Sequence, residues 1–316
     1  MLLNHEQPWR EWDAALAGPR MHHGWIIAGR QGLGKHEFAL GAAQKLVGDG
    51  PMGPDHPDII LLNRPPKDDK EARKRDEGKP FERKRNISVD QIREMQRRLT
   101  TRPTLGARRA IIIDPADDLE KGASNALLKS LEEPPEGTFF LLVTHRPARL
   151  LPTIRSRCRI IRFAPLSTSD VERILQEEAP NATDEARAAA VAASGGSPGA
   201  ALEFVEQDLA PIAVLMRKIL NDGDPDFALR GKLSGSIGAR PDRERIGAVF
   251  DLARAVLAER MTETPASQLS ALADAHADMA ALAGQAPTYN FDPGFLAMEI
   301  GSLLASAAPN KERAHV

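Results

Sequence analysis

Residues 25–36 read Trp-Ile-Ile-Ala-Gly-Arg-Gln-Gly-Leu-Gly-Lys-His. An apolar run into Gly29, then four residues, then Gly34-Lys35 ahead of a helix-forming stretch, is the phosphate-loop spacing G-x-x-x-x-G-K-[ST]. Gly29, Gly32 and Gly34 would let backbone N–H groups converge on phosphate oxygens, and the following helix adds a favourable field at its N-terminus. Lys35 would bring a point charge to the terminal phosphates. The last position departs from the pattern. His36 stands where a Ser or Thr hydroxyl would hold Mg²⁺, and magnesium prefers hard oxygen ligands in octahedral geometry. That leaves at most weak ATP or ADP binding, with a glycine-rich turn that holds no nucleotide as the plainer alternative.

The second acidic element of such a site is expected at the end of a buried strand, and Ala110-Ile-Ile-Ile-Asp114 fits. A hydrolysing enzyme needs a further carboxylate to polarise water. The next residue is Pro115, so no general base sits there. Asp117 and Asp118 read as helix-capping acids. Glu132 and Glu133 are adjacent on a helix pattern and point about 100° apart, which suits solvated charges before the Pro-Pro stop better than a catalytic pair. Cys158, the single cysteine, has no His or Asn constellation around it and reads as a small buried hydrophobe.

These residues need a scaffold, and the pattern predicts one. At 316 residues the chain suits two or three domains. A net charge of −2 argues against a generally basic nucleic-acid binder, and 4% aromatics against stacking platforms for bases. One cysteine excludes a disulfide framework. No apolar run is long enough for a membrane span, so the expectation is a cytoplasmic protein with no membrane contact. Short runs apolar on both faces predict strands at 25–28, 58–62, 110–114, 139–144 and 159–163, and helices are predicted between them at 36–47, 88–100 and 124–133. That alternation predicts a doubly wound α/β domain with a parallel sheet. After Pro165 only helical patterns follow, at 169–178 and 184–193, from Ser197-Pro198, and at 212–220, 245–258, 267–283 and 292–307. The expected division is an α/β core over 1–165, a small helical domain over 166–207 and a helical domain over 208–316. Residues 63–86 have almost no apolar side chains and read as a solvated, partly disordered insertion. A phosphate-binding segment is the sharper alternative, weakened by its interleaved acids.

Several segments together resemble one family. Ser124-Asn-Ala-Leu-Leu-Lys-Ser-Leu-Glu-Glu-Pro-Pro135, Thr153-Ile-Arg-Ser-Arg-Cys158, Gly195-Gly-Ser-Pro-Gly-Ala-Ala-Leu202 and His56-Pro-Asp58 are similar to stretches of bacterial clamp-loader subunits of the AAA+ class. With the phosphate loop they span residues 22 to 202. The resemblance implies an AAA+ fold with strand order 5-1-4-3-2, a helical lid and a helical collar. It places the first sensor at Thr144 and the second at Gly199, where the ATP-hydrolysing members have arginine. His36, Pro115 and Gly199 are three departures that all bear on nucleotide use.

The Ser-Arg-Cys motif is intact. The resemblance therefore implies a non-hydrolysing subunit within the DNA polymerase III holoenzyme. Arg157 would act as an arginine finger on ATP held by a neighbouring gamma/tau subunit, and Ser156 would be a positioning donor. A solvated basic rim made by Arg155, Arg157 and Arg159 is the bland alternative, an ATP-hydrolysing subunit of the same machine is the functional one, and an unrelated P-loop kinase is the distant one. The implied partners are gamma/tau and delta subunits, and through them the sliding clamp and primer-template DNA. Many relatives carry a four-cysteine zinc module before the second strand. Residues 47–56 have no cysteine, so no zinc is expected, and His56 reads as a turn or cap residue.

Overall fold

The computed structural model describes residues 5–51, 53–266, 269–286 and 291–309. The chain divides into two compact units, residues 1–165 and 166–316.

The first unit is built on a parallel five-stranded sheet of β1 (Gly24–Ala28), β2 (Ile59–Leu62), β3 (Arg109–Ile113), β4 (Thr138–Thr144) and β5 (Arg159–Arg162). Its order is β2-β3-β4-β1-β5. This is the expected 5-1-4-3-2 order read from the other edge. Alternation along each strand feeds two cores. Ile26, Ile111 and Leu142 face one side with α4 (Val89–Arg98) and α5 (Lys121–Glu132). Trp25, Ile27, Ile112 and Leu141 face the other with α1 (Glu6–Ala17) and α2 (Lys35–Val47). Ile111, Ile112 and Ile113 are fully buried, and each such side chain contributes about 2 kcal/mol through the water it excludes. That double-sided burial is why these strands read as continuous apolar runs.

Two elements were not predicted here. Helix α1 buries Trp12 completely, 5.3 Å from the Trp25 ring. The charged insertion, expected to be partly disordered, is instead an ordered arm. Asp68 caps helix α3 (Asp69–Asp76) by accepting the Glu71 N–H. The flanking chains run antiparallel, with Lys67 N–H donating to Glu82 O at 2.9 Å and Lys84 N–H to Pro65 O at 2.7 Å. Glu71 is buried and accepts the Glu82 N–H at 2.7 Å and Lys74 Nζ at 2.8 Å. Directed hydrogen bonds to a carboxylate, rather than apolar burial, supply the order that composition did not suggest.

The second unit contains helices α7 (Thr168–Glu178), α8 (Asp184–Ser194), α9 (Pro198–Glu206), α10 (Ala210–Asp222), α11 (Ala228–Ile237), α12 (Arg243–Glu263), α13 (Leu269–Gln285) and α14 (Pro293–Ser306). Short α6 (Pro152–Arg155) precedes β5 in the first unit. Side chains at Ser167, Thr183, Ser197, Asp242 and Asp292 accept N–H groups of the first turns they precede. Val171, Ala201 and Phe204 share one apolar cluster with Met216, Leu257 and Leu304, so the residues expected to form lid and collar bury a common core.

Arg245 on α12 reinforces that core. Its guanidinium donates to the carbonyls of Gln207, just past α9, and of Ser236 and Ile237, at the end of α11. Asp224 and Arg230 form a buried pair, with Arg230 Nε donating to Asp224 Oδ2 at 3.0 Å, Nη2 to Asp224 O at 2.8 Å and Nη1 to Ser302 Oγ at 2.9 Å. No helix among the described residues is long and apolar enough to cross a membrane.

Candidate functional site

The loop from Gly29 to Gly34 joins β1 to α2 at the C-terminal edge of the sheet. Gly32 and Gly34 have φ of 77° and 75°, the left-handed region that only glycine adopts freely, which explains their presence. Gly29 lies so close to β5 that an added Cβ would sit 2.7 Å from Phe163 O. The phosphate-loop backbone is therefore formed.

Its side chains are engaged within the protein. Lys35 is 3% exposed and donates to Arg30 O at 2.5 Å, a carbonyl of its own loop. Burial pushes its pKa down to about 8 against the pull of Asp114 and Asp117. His36 Nδ1 donates to Asp114 Oδ2 at 2.5 Å. That hydrogen bond, more than the burial opposing it, holds the His36 pKa above its ordinary value. The two positions that would share Mg²⁺ in a metal-using site thus bind each other, and the imidazole occupies a carboxylate oxygen that the cation would need. The residues present do not fit magnesium.

Thr144, fully buried at the end of β4, donates its hydroxyl to Asp117 Oδ1 at 2.8 Å. Asp117 also accepts the N–H groups of His145 at 2.6 Å and Arg146 at 3.2 Å. Asp118 pairs with Arg64 at 3.1 Å. Neither acid caps a helix as expected. Helix α5 is capped at Glu120 without a side-chain bond, because Asp117 and Asp118 turn towards the ends of neighbouring strands. His145 was not singled out in the sequence. Burial and the nearby Lys35 charge hold its pKa below the ordinary value, and its Nδ1 has no hydrogen-bond partner among the described residues.

His56 behaves as a turn residue. It is 1% exposed, its Nδ1 accepts the Asp58 N–H at 3.0 Å, and its Nε2 lies 3.3 Å from Asp49 O. No group of three or more His, Cys, Asp or Glu among the described residues is placed to hold a metal.

At the opposite end of the sheet, the turn into β5 carries Ser156-Arg157-Cys158. Arg157 Nη1 donates to Thr153 O at 3.0 Å and lies 3.5 Å from Ser156 Oγ. Arg157 Nη2 pairs with Glu132 Oε1 at 2.8 Å. The Arg157 side chain remains 36% exposed, with N–H groups to spare. Ser156 is exposed and donates to Thr153 O at 3.1 Å. Cys158 is half-buried, and burial pushes its thiol up to about 12, which removes the thiolate a nucleophile needs. The structure therefore separates the predicted residues into two places, the phosphate loop with Asp114 and Thr144, and the turn with Ser156 and Arg157. Glu132, which sequence reading left as a solvated charge, joins the second.

The sequence model of the family described as DNA polymerase III, delta subunit, matches residues 4–167, more than half of the chain. The chain belongs to this DNA polymerase III family. The delta' subunit of Pseudomonas aeruginosa (strain PAO1) is 33% identical over an alignment 214 residues long that covers 60% of this chain and 58% of that protein. The delta' subunit of Escherichia coli (strain K12) is 32% identical over 221 residues, 64% of this chain and 61% of that protein.

A gamma/tau subunit of Mycobacterium tuberculosis (strain H37Rv) is 28% identical over 222 residues, 64% of this chain and 35% of that protein. The chain spans about six-tenths of the length of the delta' relatives it matches. Those subunits are more similar to this chain than the gamma/tau one. The strand order and the placement of the phosphate loop are the AAA+ arrangement that the resemblance implied.

Proposed function

We propose that this delta' family member is a non-hydrolysing subunit of the DNA polymerase III clamp loader. In this reading the chain assembles with gamma/tau and delta subunits through helices 208–316. It offers Arg157 to ATP bound by a neighbouring gamma/tau subunit, and so supports loading of the sliding clamp onto primed DNA. The observation that carries the reading is the 2.5 Å bond between Asp114, the carboxylate a resident Mg²⁺ would need, and His36, which stands in place of the hydroxyl. Pro115 stands where a hydrolysing site would carry its general base and has no group to serve as one. Arg157 differs in kind: it is partly exposed, permanently charged and has a planar donor fork suited to phosphate oxygens.

An arginine given in trans to a transferring phosphoryl group is worth ~10³–10⁵ in rate in related nucleotidases. The test is a loader reconstituted from this chain with gamma/tau and delta subunits. Arg157→Ala should leave assembly intact and lower DNA-stimulated ATP hydrolysis at the site it serves, while the isolated chain turns over no MgATP. Isolated-chain hydrolysis abolished by Lys35→Ala would establish the alternative, an ATP-hydrolysing gamma/tau-like subunit. Unchanged ATPase with Arg157→Ala would remove the finger from the mechanism.

A further inference from the structure

The arm between β2 and α4 holds ten basic and six acidic residues between Arg64 and Arg85, in a chain whose net charge is −2. The structure sorts these charges. Five of the six acids are used inside the arm: Asp68 caps α3, Glu71 holds the returning chain and Lys74, Asp76 pairs with Arg75, Glu77 with Lys79 and Glu82 with Lys67, while Asp69 is exposed in the first turn of α3. The surplus cations are left outward. Lys70, Arg73 and Lys84 are exposed and form no ion pair with any described residue. The arm is also stiff, because the Glu71 carboxylate ties α3 to the strand at Glu82. Arg83 lies 4.6 Å over the Phe81 ring. Burial and the charges of Arg64 and Arg75 depress its pKa.

We infer that the arm formed by residues 64–85 is a docking surface for the phosphate backbone of double-stranded DNA, gripped by Lys70, Arg73 and Lys84. A single-stranded ligand would require aromatic faces for its bases, and Phe81, the arm's one aromatic residue, is covered by Arg83. A protein partner would require an apolar or aromatic centre to its interface, and the arm exposes no large hydrophobic side chain. A surplus of cations on a rigid, apolar-poor element matches a ladder of phosphates, read without regard to sequence. The inference deepens the proposed function, since it makes this chain itself a contact for the duplex part of a primed template.

The experiment measures binding of a fluorescent 30-base-pair duplex by anisotropy over a series of salt concentrations. It uses the full chain alone and the loader reconstituted with gamma/tau and delta. The variant is Lys70→Ala/Arg73→Ala/Lys84→Ala, which keeps every carboxylate-paired residue of the arm, and an unchanged thermal midpoint shows that it folds. Each neutralised phosphate contributes about 0.9 to the slope of log K against log salt. The triple variant should therefore bind more weakly and lose about 2–3 from that slope, in the loader and in any binding by the chain alone. Removing two exposed lysines of the second unit, Lys218 and Lys232, should leave it unchanged. An identical slope for the triple variant overturns the inference. So does a variant that binds DNA normally but loses binding to polyglutamate, because the arm would then serve an acidic protein surface. Arg157→Ala should bind DNA with the wild-type slope. Failure of the arm and failure of the finger are thereby read separately, the first in salt dependence and the second in ATPase.

Discussion

Arg157 and Glu132 are 25 residues apart in the chain and 2.8 Å apart in space. With Thr153 O on the other nitrogen, the guanidinium is held from two segments and keeps donors free for a ligand. Both partners are partly exposed, so the pair contributes under about 1 kcal/mol on its own. Its effect is orientation. Glu132→Ala is expected to lower the DNA-stimulated ATPase of the reconstituted loader by three- to five-fold, and Glu132→Gln, which keeps an acceptor, by less. In an Arg157→Ala background Glu132→Ala should change nothing further. Additive losses in the double variant would show that Glu132 acts elsewhere.

The His36–Asp114 pair makes stability depend on pH in a definite direction. A histidine whose folded pKa is raised contributes stability that is complete below the unfolded value of about 6.5. That contribution fades as pH rises through the folded value. Urea midpoints of the wild type and His36→Gln, compared from pH 5.5 to 9, should differ most at the acid end and converge at the alkaline end. A constant gap across the range would contradict the pairing.

Lys35 has the opposite character. Burial lowers its pKa to about 8, so between that value and 10.5 the unfolded chain holds a proton that the folded chain releases. Wild-type stability should therefore rise with pH across that window. Lys35→Met is expected to be more stable than the wild type at pH 7, with the advantage shrinking as pH climbs towards 10.5. The loader containing it should hydrolyse ATP at the wild-type rate. A melting-temperature series checks the first expectation and a steady-state ATPase assay the second.

Asp224→Ala strands the Arg230 guanidinium in the interior of the second unit, where Asp224 is fully buried. Removing one partner of a buried pair costs about 3–5 kcal/mol. Asp224→Ala/Arg230→Met, which removes both charges and keeps much of the volume, should recover most of that loss in a denaturant titration. If the double variant is no better than the single one, the backbone bonds of Asp224 rather than the ion pair dominate.

The sheet was legible because its strands are buried on both sides and bounded by sharp composition changes. β1 to β5 fall within one residue of the predicted ends. Helices announced by capping residues were legible for the same local reason. Helix α11 was missed because Gly231 and Gly235 lower its intrinsic propensity by about 1 kcal/mol each, and buried Leu233 and Ile237 offset that only after packing. Helix α1 left a signal in the spacing of Trp9, Trp12 and Leu16, obscured by the surrounding charges. In the site, the loop glycines, Lys35 and His36 could be read because they are contiguous. Asp114 and Thr144 were legible as members of the site, but the bonds that decide their chemistry were not: Asp114 lies 78 residues from His36, and Asp117 lies 27 from Thr144. The arm shows the limit of composition as a guide, since one carboxylate, Glu71, organises a segment that hydropathy alone assigns to solvent.

The grip of Arg245 on the carbonyls of Gln207, Ser236 and Ile237 has a mechanical consequence. Helix C-termini carry partial negative charge, and here one cation is riveted to two of them at once. To slide α9 past α11, the protein would have to break either the bond to Gln207 or the two bonds to Ser236 and Ile237. Within this unit the ends of those two helices are therefore tied through one side chain, and Arg245→Ala would free them to shift independently.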